Sequence, residues 1–383
     1  MKKKLLLIVE AMGGGVRRHV VDLINGLDKS QFTITLLYGK RRADASFLAQ
    51  IQALEKEAQL IGSDNLVREL SPKQDYAALK EIKNVIREVQ PDIVHCHSSK
   101  AGVLGRLAAK QMHIKKIFYT PHAYSFQAPE FSASKKAVFV AIERWMSRHA
   151  TTMTFNVSKG ERQCALENRL DKPEKFQVIY NGVPDIPLPS KDEARKCLNL
   201  PIDVPVVGTT VRLNEQKDPF TFIKIAKNVI QSCPNTQFLY IGSGPLFEPM
   251  QKYIQEHQLD KNVHLCGYCE DAELLIPAFD VFLLTSLYEG FPYALLEALR
   301  AGVPIVATDT VGNNEIVLPG QSGELFKVGD VEDGARAVLN MLNNPIEKGK
   351  ITQFYRDHFS LEPMIDTIQD NYLVKEGHDL CSF

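Results

Sequence analysis

Apolar residues in this chain fall into two alternating patterns, short unbroken runs and longer stretches with helical spacing. The first run, Leu5–Val9, is followed by Gly13-Gly14-Gly15 and then by Val16, Val20, Leu23 and Leu27, spaced along one face of a helix. Phe32–Tyr38 reads as the next strand, and two polar amphipathic stretches lead to another in Pro91–His97. A small-residue helix around Ala101–Ala109 precedes the strand Lys116–Thr120. Tyr124–Ala133 reads as a loop, Lys135–Arg148 as a helix, and Thr152–Val157 and Phe176–Tyr180 as strands. Strands alternating with helices predict a parallel sheet covered on both faces, which is why the strand runs are continuously apolar.

Pro184-Asp-Ile-Pro-Leu-Pro189 interrupts the pattern. Three prolines in six residues neither continue a helix nor sit in a central strand, so this segment reads as a linker. The alternation then restarts with the strand Pro205–Val211, the helix Pro219–Ile230 and the strand Phe238–Gly242. Further strands follow at Val263–Leu265, Val281–Thr285, Pro304–Ala307 and Gly323–Phe326, and Leu361–Val374 is helical. The expected architecture is α/β, two doubly wound Rossmann-like domains in tandem, residues 1–185 and 190–358. Ligands of such sheets bind outside the carboxyl ends of the strands, and two domains place that expectation in an interdomain cleft.

A length of 383 residues suits two domains. The start, Met1–Glu10, imitates a secretory signal, but its apolar core stops after five residues, short of the roughly 7–15 required. No apolar run approaches the roughly 20 residues of a membrane span, so a cytoplasmic protein is expected. Seven cysteines, an odd number, argue against a disulfide framework, and Cys266-x-x-Cys269 has no second pair to complete a zinc site. The net charge of −1 hides an asymmetry: residues 1–185 carry 29 Lys+Arg against 19 Asp+Glu, whereas residues 186–383 carry 16 against 27. A basic first half suits an anionic partner such as a lipid head group or a bilayer surface. Lys135, Lys136, Arg144 and Arg148, with Trp145 and Phe139, are the candidates on one helix. No nucleic-acid partner is expected.

The chemistry concentrates around Glu289-Gly-Phe-Pro-Tyr-Ala-Leu-Leu-Glu297, which follows a strand and opens a helix with Pro292 at its first position. First-turn N–H groups lack intrahelical partners and suit a phosphate, while two flanking carboxylates suit hydroxyl groups. Phosphate plus polyol is what a nucleotide sugar offers. Arg212 and Lys217, just past a strand end, can clamp a pyrophosphate. Gly13-Gly14-Gly15 permits close backbone approach at a helix start, but Arg18 occupies the last glycine's place in a dinucleotide fingerprint. His95 and His97 share one strand face without an evident third metal ligand, and His122 follows another strand end. No Asp-x-Asp occurs to grip a diphosphate through a divalent ion, so no metal and no cofactor is expected.

These motifs resemble, in order and over nearly the whole chain, the retaining GT-B glycosyltransferases of family four, the bacterial hexosyltransferases of surface and capsular polysaccharide type. The resemblance is carried by Gly13–Gly15, Asp92–His97, Thr120-Pro-His122, Asn156-Val-Ser158, Val178–Val183, Arg212 with Lys217, Gly242-Ser-Gly244, Glu289 with Glu297, Val303–Ala307 and Glu315. It implies transfer of a hexose from a nucleotide diphosphate sugar, UDP-linked, to a hydroxyl of a glycan or lipid-linked acceptor with retention. It also implies that Glu297 holds the ribose and Glu289 the sugar, aided by the backbone near Phe291. Ala294 and Leu295 N–H groups would face the diphosphate with Arg212 and Lys217. Gly242 would belong to the same nucleotide site, while His122 and the Gly14–Gly15 backbone would close it from the first domain. Residues 359–383 would cross back to that domain. Two positions depart from the family pattern: Lys217 is followed by Asp218 rather than Gly, and Val311-Gly-Asn-Asn314 leaves one glycine before Glu315. Two other classes stay open at this point, a nucleotide-sugar epimerase of the same fold and a non-catalytic subunit that binds sugar nucleotides.

Overall fold

The first sheet takes its strands from β1 (Lys3–Val9), β2 (Phe32–Gly39), β3 (Gln59–Ser63), β4 (Ile93–His97), β5 (Lys116–Thr120), β6 (Met153–Asn156) and β7 (Phe176–Val178). All are parallel, in the order β3-β2-β1-β4-β5-β6-β7. This is the computed structural model of the chain, and it describes residues 2–374 apart from 70, 129 and 130. The intervening helices are α1 (Gly14–Gly26), α2 (Ala45–Leu54), α3 (Pro72–Val89), α4 (Ser99–Gln111), α5 (Ala133–Ala150) and α6 (Lys159–Glu167). Leu5–Val9 is wholly buried because helices cover both faces of the central strand. The strand β3 escapes the apolar pattern: it lies at the sheet edge, is only partly buried, and carries a glycine, Gly62.

In the second unit, Gly182–Ser360, α7 (Lys191–Cys197) precedes β8 (Val206–Thr209), α8 (Pro219–Ser232), β9 (Gln237–Ile241), α9 (Phe247–Glu256) and β10 (Val263–Gly267). There follow β11 (Val281–Leu284), α10 (Tyr293–Ala301), β12 (Ile305–Thr308), α11 (Asn313–Ile316), β13 (Gly323–Phe326), α12 (Val331–Asn343) and α13 (Lys348–His358). The six strands are again parallel, ordered β10-β9-β8-β11-β12-β13. Each unit is thus a doubly wound α/β domain.

The first unit, Met1–Asn181, also takes in the segment from Leu361, which holds α14 (Leu361–Leu373). Met364, Ile365, Ile368 and Tyr372 of α14 join the core formed by β1, β2 and α1. Tyr372 donates or accepts a 2.5 Å hydrogen bond with His95 Nδ1, and the Lys116 ammonium donates to the carbonyls of Tyr372 (2.7 Å) and Val374 (2.6 Å). A second packing centre in this unit surrounds Arg106, whose guanidinium is fully buried. It donates to Glu143 Oε2 at 2.7 Å and to the Gly102 carbonyl at 2.7 Å, and it stacks 3.7 Å from the centre of the Tyr119 ring.

Candidate functional site

Each sheet has one place where crossovers leave in opposite directions, between β1 and β4 in the first and between β8 and β11 in the second. A crevice opens at the carboxyl ends of the strands there, the usual ligand position in open α/β sheets.

In the second unit the chain leaving β8 forms a short 3-10 turn at Glu215–Lys217, capped by the Asn214 side chain, which accepts from Lys217 N at 3.2 Å. The Thr285 hydroxyl donates to the carbonyls of Lys217 and Asp218, 2.9 Å each, and Gln216 Nε2 donates to the Tyr288 carbonyl at 3.0 Å. These bonds tie the loop after β8 to the loop after β11. The result is a direct bond between the Lys217 ammonium and Glu289 Oε1, with the side chains only 15% and 6% exposed. Asp218, where the family pattern has glycine, adopts left-handed backbone (φ 43°) and caps α8 through Thr221 N and Oγ1. The Asx cap compensates the strain that glycine would avoid. Arg212 is exposed in the same loop, and Glu297 is half-buried on α10.

Pro292 departs from the expected first helical position. Its ψ of 124° makes it the N-cap, so α10 starts at Tyr293. Leu295 N–H donates to the Pro292 carbonyl at 3.2 Å, so it is already engaged within the first turn, unlike the outward donor expected of it. Phe291 is buried against Phe359, ring centres 5.6 Å apart, which fixes the approach to the helix. Gly242 has φ 153°, and a Cβ there would lie 2.0 Å from the Val211 carbonyl oxygen; Gly312 has φ 85°, and its Cβ would meet the Gly290 carbonyl oxygen at 2.2 Å. Only glycine lets these loops close around one another. The hydroxyls of Thr209, Thr210, Ser286 and Thr310 and the Asn313 Oδ1 are buried with no partner among the described residues. They line the ends of β8, β11 and β12, where a polar ligand would satisfy them.

At the first unit's switch point, Gly14 begins α1 with φ 59°, and its N–H donates to Asp44 Oδ2 at 3.2 Å. Arg17 Nε pairs with Asp44 Oδ1 at 3.3 Å. The acidic group is one that sequence reasoning missed, and it occupies the N–H at the start of the glycine loop; Gly15 follows, partly buried.

Beside it the fold gathers four histidines. His95 is locked between Tyr372 and Thr120 Oγ1, the latter at 2.8 Å. His97 Nδ1 lies 3.2 Å from His122 Nε2. His19, from α1, bonds Asn181 Oδ1 through Nδ1 at 3.1 Å. His122 and Ala123 are both left-handed (φ 54° and 84°), a turn held by the buried Glu161 carboxylate, which accepts from Ala123 N at 2.6 Å. Burial lowers His19 to about 4, against the raising effect of its Asn181 bond. Burial, with the neighbouring imidazoles, also holds His95, His97 and His122 well below the ordinary imidazole value. All four rings are neutral at physiological pH.

Comparison with known proteins gives this geometry its context. The Glycosyltransferase Family 4 model matches residues 13–185 and the Glycosyl transferases group 1 model residues 190–357. The UDP-Gal:alpha-D-GlcNAc-diphosphoundecaprenol alpha-1,3-galactosyltransferase of Escherichia coli is 28% identical over 374 residues, 94% of this chain and 93% of that protein. The putative glycosyltransferase EpsD of Bacillus subtilis is 29% identical over 71% of this chain and 73% of its own length. Among solved structures, Anabaena Alr3699/HepE in complex with UDP and glucose superposes with a TM-score of 0.79 at 19% identity, covering 96% of this chain and 98% of that one. Sucrose-phosphate synthase from Thermosynechococcus elongatus gives 0.81 at 18%, covering 97% and 98%. Those two likenesses speak to the fold, while the sequence matches run in order through both halves of the chain. The protein belongs to the GT-B glycosyltransferases of family 4 and group 1.

Proposed function

We propose that the protein transfers a hexosyl group from a UDP-sugar to a hydroxyl of a lipid-linked or glycan acceptor, with retention at the anomeric carbon. The observation that carries this reading is the Lys217–Glu289 pair held at the β8/β11 switch point, directly ahead of the α10 N-terminus. Glu297 binds the ribose hydroxyls, Glu289 the sugar hydroxyls, and Arg212, Lys217 and the Ala294 N–H the diphosphate. With no nucleophile assigned, the departing phosphate oxygen takes the acceptor proton on the face it leaves, while the cations stabilise its charge. His122 meets a substrate hydroxyl in the first unit. The E. coli relative's UDP-sugar donor and diphosphoundecaprenol-linked acceptor support this choice of substrate classes.

Calorimetric titration separates the two glutamates. Glu297→Ala is expected to weaken UDP about 10- to 150-fold, the worth of a charged hydrogen bond at roughly 1.5–3 kcal/mol. Glu289→Ala is expected to spare UDP and weaken the intact UDP-sugar. The reverse pattern would overturn the assignment, and release of an epimerised UDP-sugar in the absence of acceptor would favour an epimerase.

We also propose peripheral attachment to an anionic bilayer through α5. No helix among the described residues is long and apolar enough to cross a membrane. Val138, Ile142 and Trp145, at spacings of four and three, are 57%, 37% and 49% exposed on one face of α5, and Lys135 is exposed beside them. Phe139, expected at the bilayer, packs into the domain core instead. Arg144 and Arg148 cap the carbonyls of 168–170, so they hold the loop after α6. The protein is expected to co-sediment with anionic vesicles and to release at about 0.5 M salt, where screening shortens the reach of charge to a few ångströms. Replacing Ile142 and Trp145 together by Ser should abolish binding. Equal binding to neutral vesicles, or none at low salt, would remove the membrane from the picture.

A further inference from the structure

His19, His97 and His122 each offer one ring nitrogen, and these three atoms lie within 4.8 Å of one another. We propose that the three histidines form a site for a borderline divalent transition metal of the zinc class. Four observations carry it. The Nε2 atoms of His19 and His97 are buried with no partner among the described residues, an expensive arrangement in a finished core. His19 Nδ1 is bonded to Asn181 Oδ1 at 3.1 Å, and a carbonyl oxygen there fixes the proton on Nδ1 and leaves the Nε2 lone pair directed into the cluster. The donor set is nitrogen only, which suits zinc, nickel, cobalt or copper and does not suit magnesium or calcium. His122 is the half-buried member of the three, the side on which the cluster is least enclosed, and three protein ligands leave one position of a tetrahedral ion open.

Zinc–nitrogen bonds of about 2.0–2.1 Å in a tetrahedral set place the nitrogens about 3.3 Å apart. The widest separation therefore has to close by about 1.5 Å. Such a site has no part in gripping a diphosphate; it takes one ring nitrogen of His122 and leaves the other for a substrate hydroxyl, and its titration needs neither donor nor acceptor.

The test is calorimetric titration of the chelator-stripped full chain with Zn2+, with Mg2+ as control, followed by Co2+ absorption spectroscopy. One equivalent of Zn2+ should bind, Mg2+ should give no heat, and Co2+ should give the visible bands of a tetrahedral ion without the near-ultraviolet thiolate band. His122→Gln and His97→Gln should each weaken Zn2+ at least ~100-fold, and Asn181→Ala, acting through His19, about 10–100-fold. Cys266→Ser with Cys269→Ser should leave binding unchanged. Absence of stoichiometric Zn2+ binding to the folded wild-type chain would overturn the proposal. A thiolate band, or affinity that survives His122→Gln or disappears with the cysteine pair, would overturn it equally.

Discussion

Replacing Lys217 by Ala is expected to lower kcat for sugar transfer about 10²–10³-fold, the usual effect of removing one preorganised donor from a developing anion. Lys217 is the half-hidden cation of the second unit's switch point, fixed by the Asn214 cap below it and by Thr285 and Gln216 beside it. Low exposure means that its charge is weakly screened, so its attraction for a leaving diphosphate is larger than a surface lysine would exert. Charge on that leaving group grows toward the transition state. The loss should therefore fall on kcat more than on KM. The same substitution strands the Glu289 carboxylate, 6% exposed on its side chain, so some destabilisation accompanies it. Thermal unfolding separates the two effects, and Lys217→Arg, which keeps the charge, should recover part of kcat. Turnover of the unmodified protein should persist in EDTA, because cations of the protein replace a bridging divalent ion. A kcat within about threefold of the parent in Lys217→Ala would reduce the residue to a structural partner of Glu289.

Arg106→Ala should cost about 3–5 kcal/mol of stability without altering donor binding. The guanidinium is fully buried and its partners are all in the first unit: Glu143, the Gly102 carbonyl, the Thr151 hydroxyl at 3.3 Å and the Tyr119 ring. Truncation leaves a buried carboxylate whose remaining donor is the Tyr119 hydroxyl at 3.2 Å, and it opens a cavity between α4 and α5. Replacing both Arg106 and Glu143 with apolar residues should cost far less than either single change, because the penalty comes from the stranded charge rather than from lost attraction. Denaturant melts of the two single variants and the double variant measure this directly. Additive losses would show that the pair contributes through packing alone.

Runs such as Leu5–Val9 and Val281–Leu284 declared their strands because both faces of a central parallel strand are covered. The edge strand β3 was hidden by the same logic, since only part of it is buried. Lys217 and Glu289 were legible as polar residues just past strand ends, though not as partners of one another. The histidine cluster was not legible. His19, His97 and His122 are brought together by the adjacency of β1 and β4, a crossover that skips two strands, and no local spacing encodes that. The sequence suggested His95 beside His97, and their ring centres do lie 4.1 Å apart, but His95 spends both ring nitrogens on Tyr372 and Thr120. Asp44 against the Gly14 amide was equally invisible, because the two meet only when α1 and α2 settle on the same sheet.

The return of α14 to the first unit bears on how this protein emerges from the ribosome. Met364, Ile365, Ile368 and Tyr372 complete a core whose other members are made roughly 180 residues earlier. At about 5–20 residues per second, the nascent first sheet waits roughly 10–35 s for its last helix. During that interval the apolar flank of β1 and α1 and the Nδ1 atom of His95, which later meets Tyr372, face solvent or a holdase. The second unit, by contrast, is one continuous segment that can fold as soon as it clears the exit tunnel. The polypeptide is therefore expected to mature in reverse of its synthesis order, with the half made second finishing first.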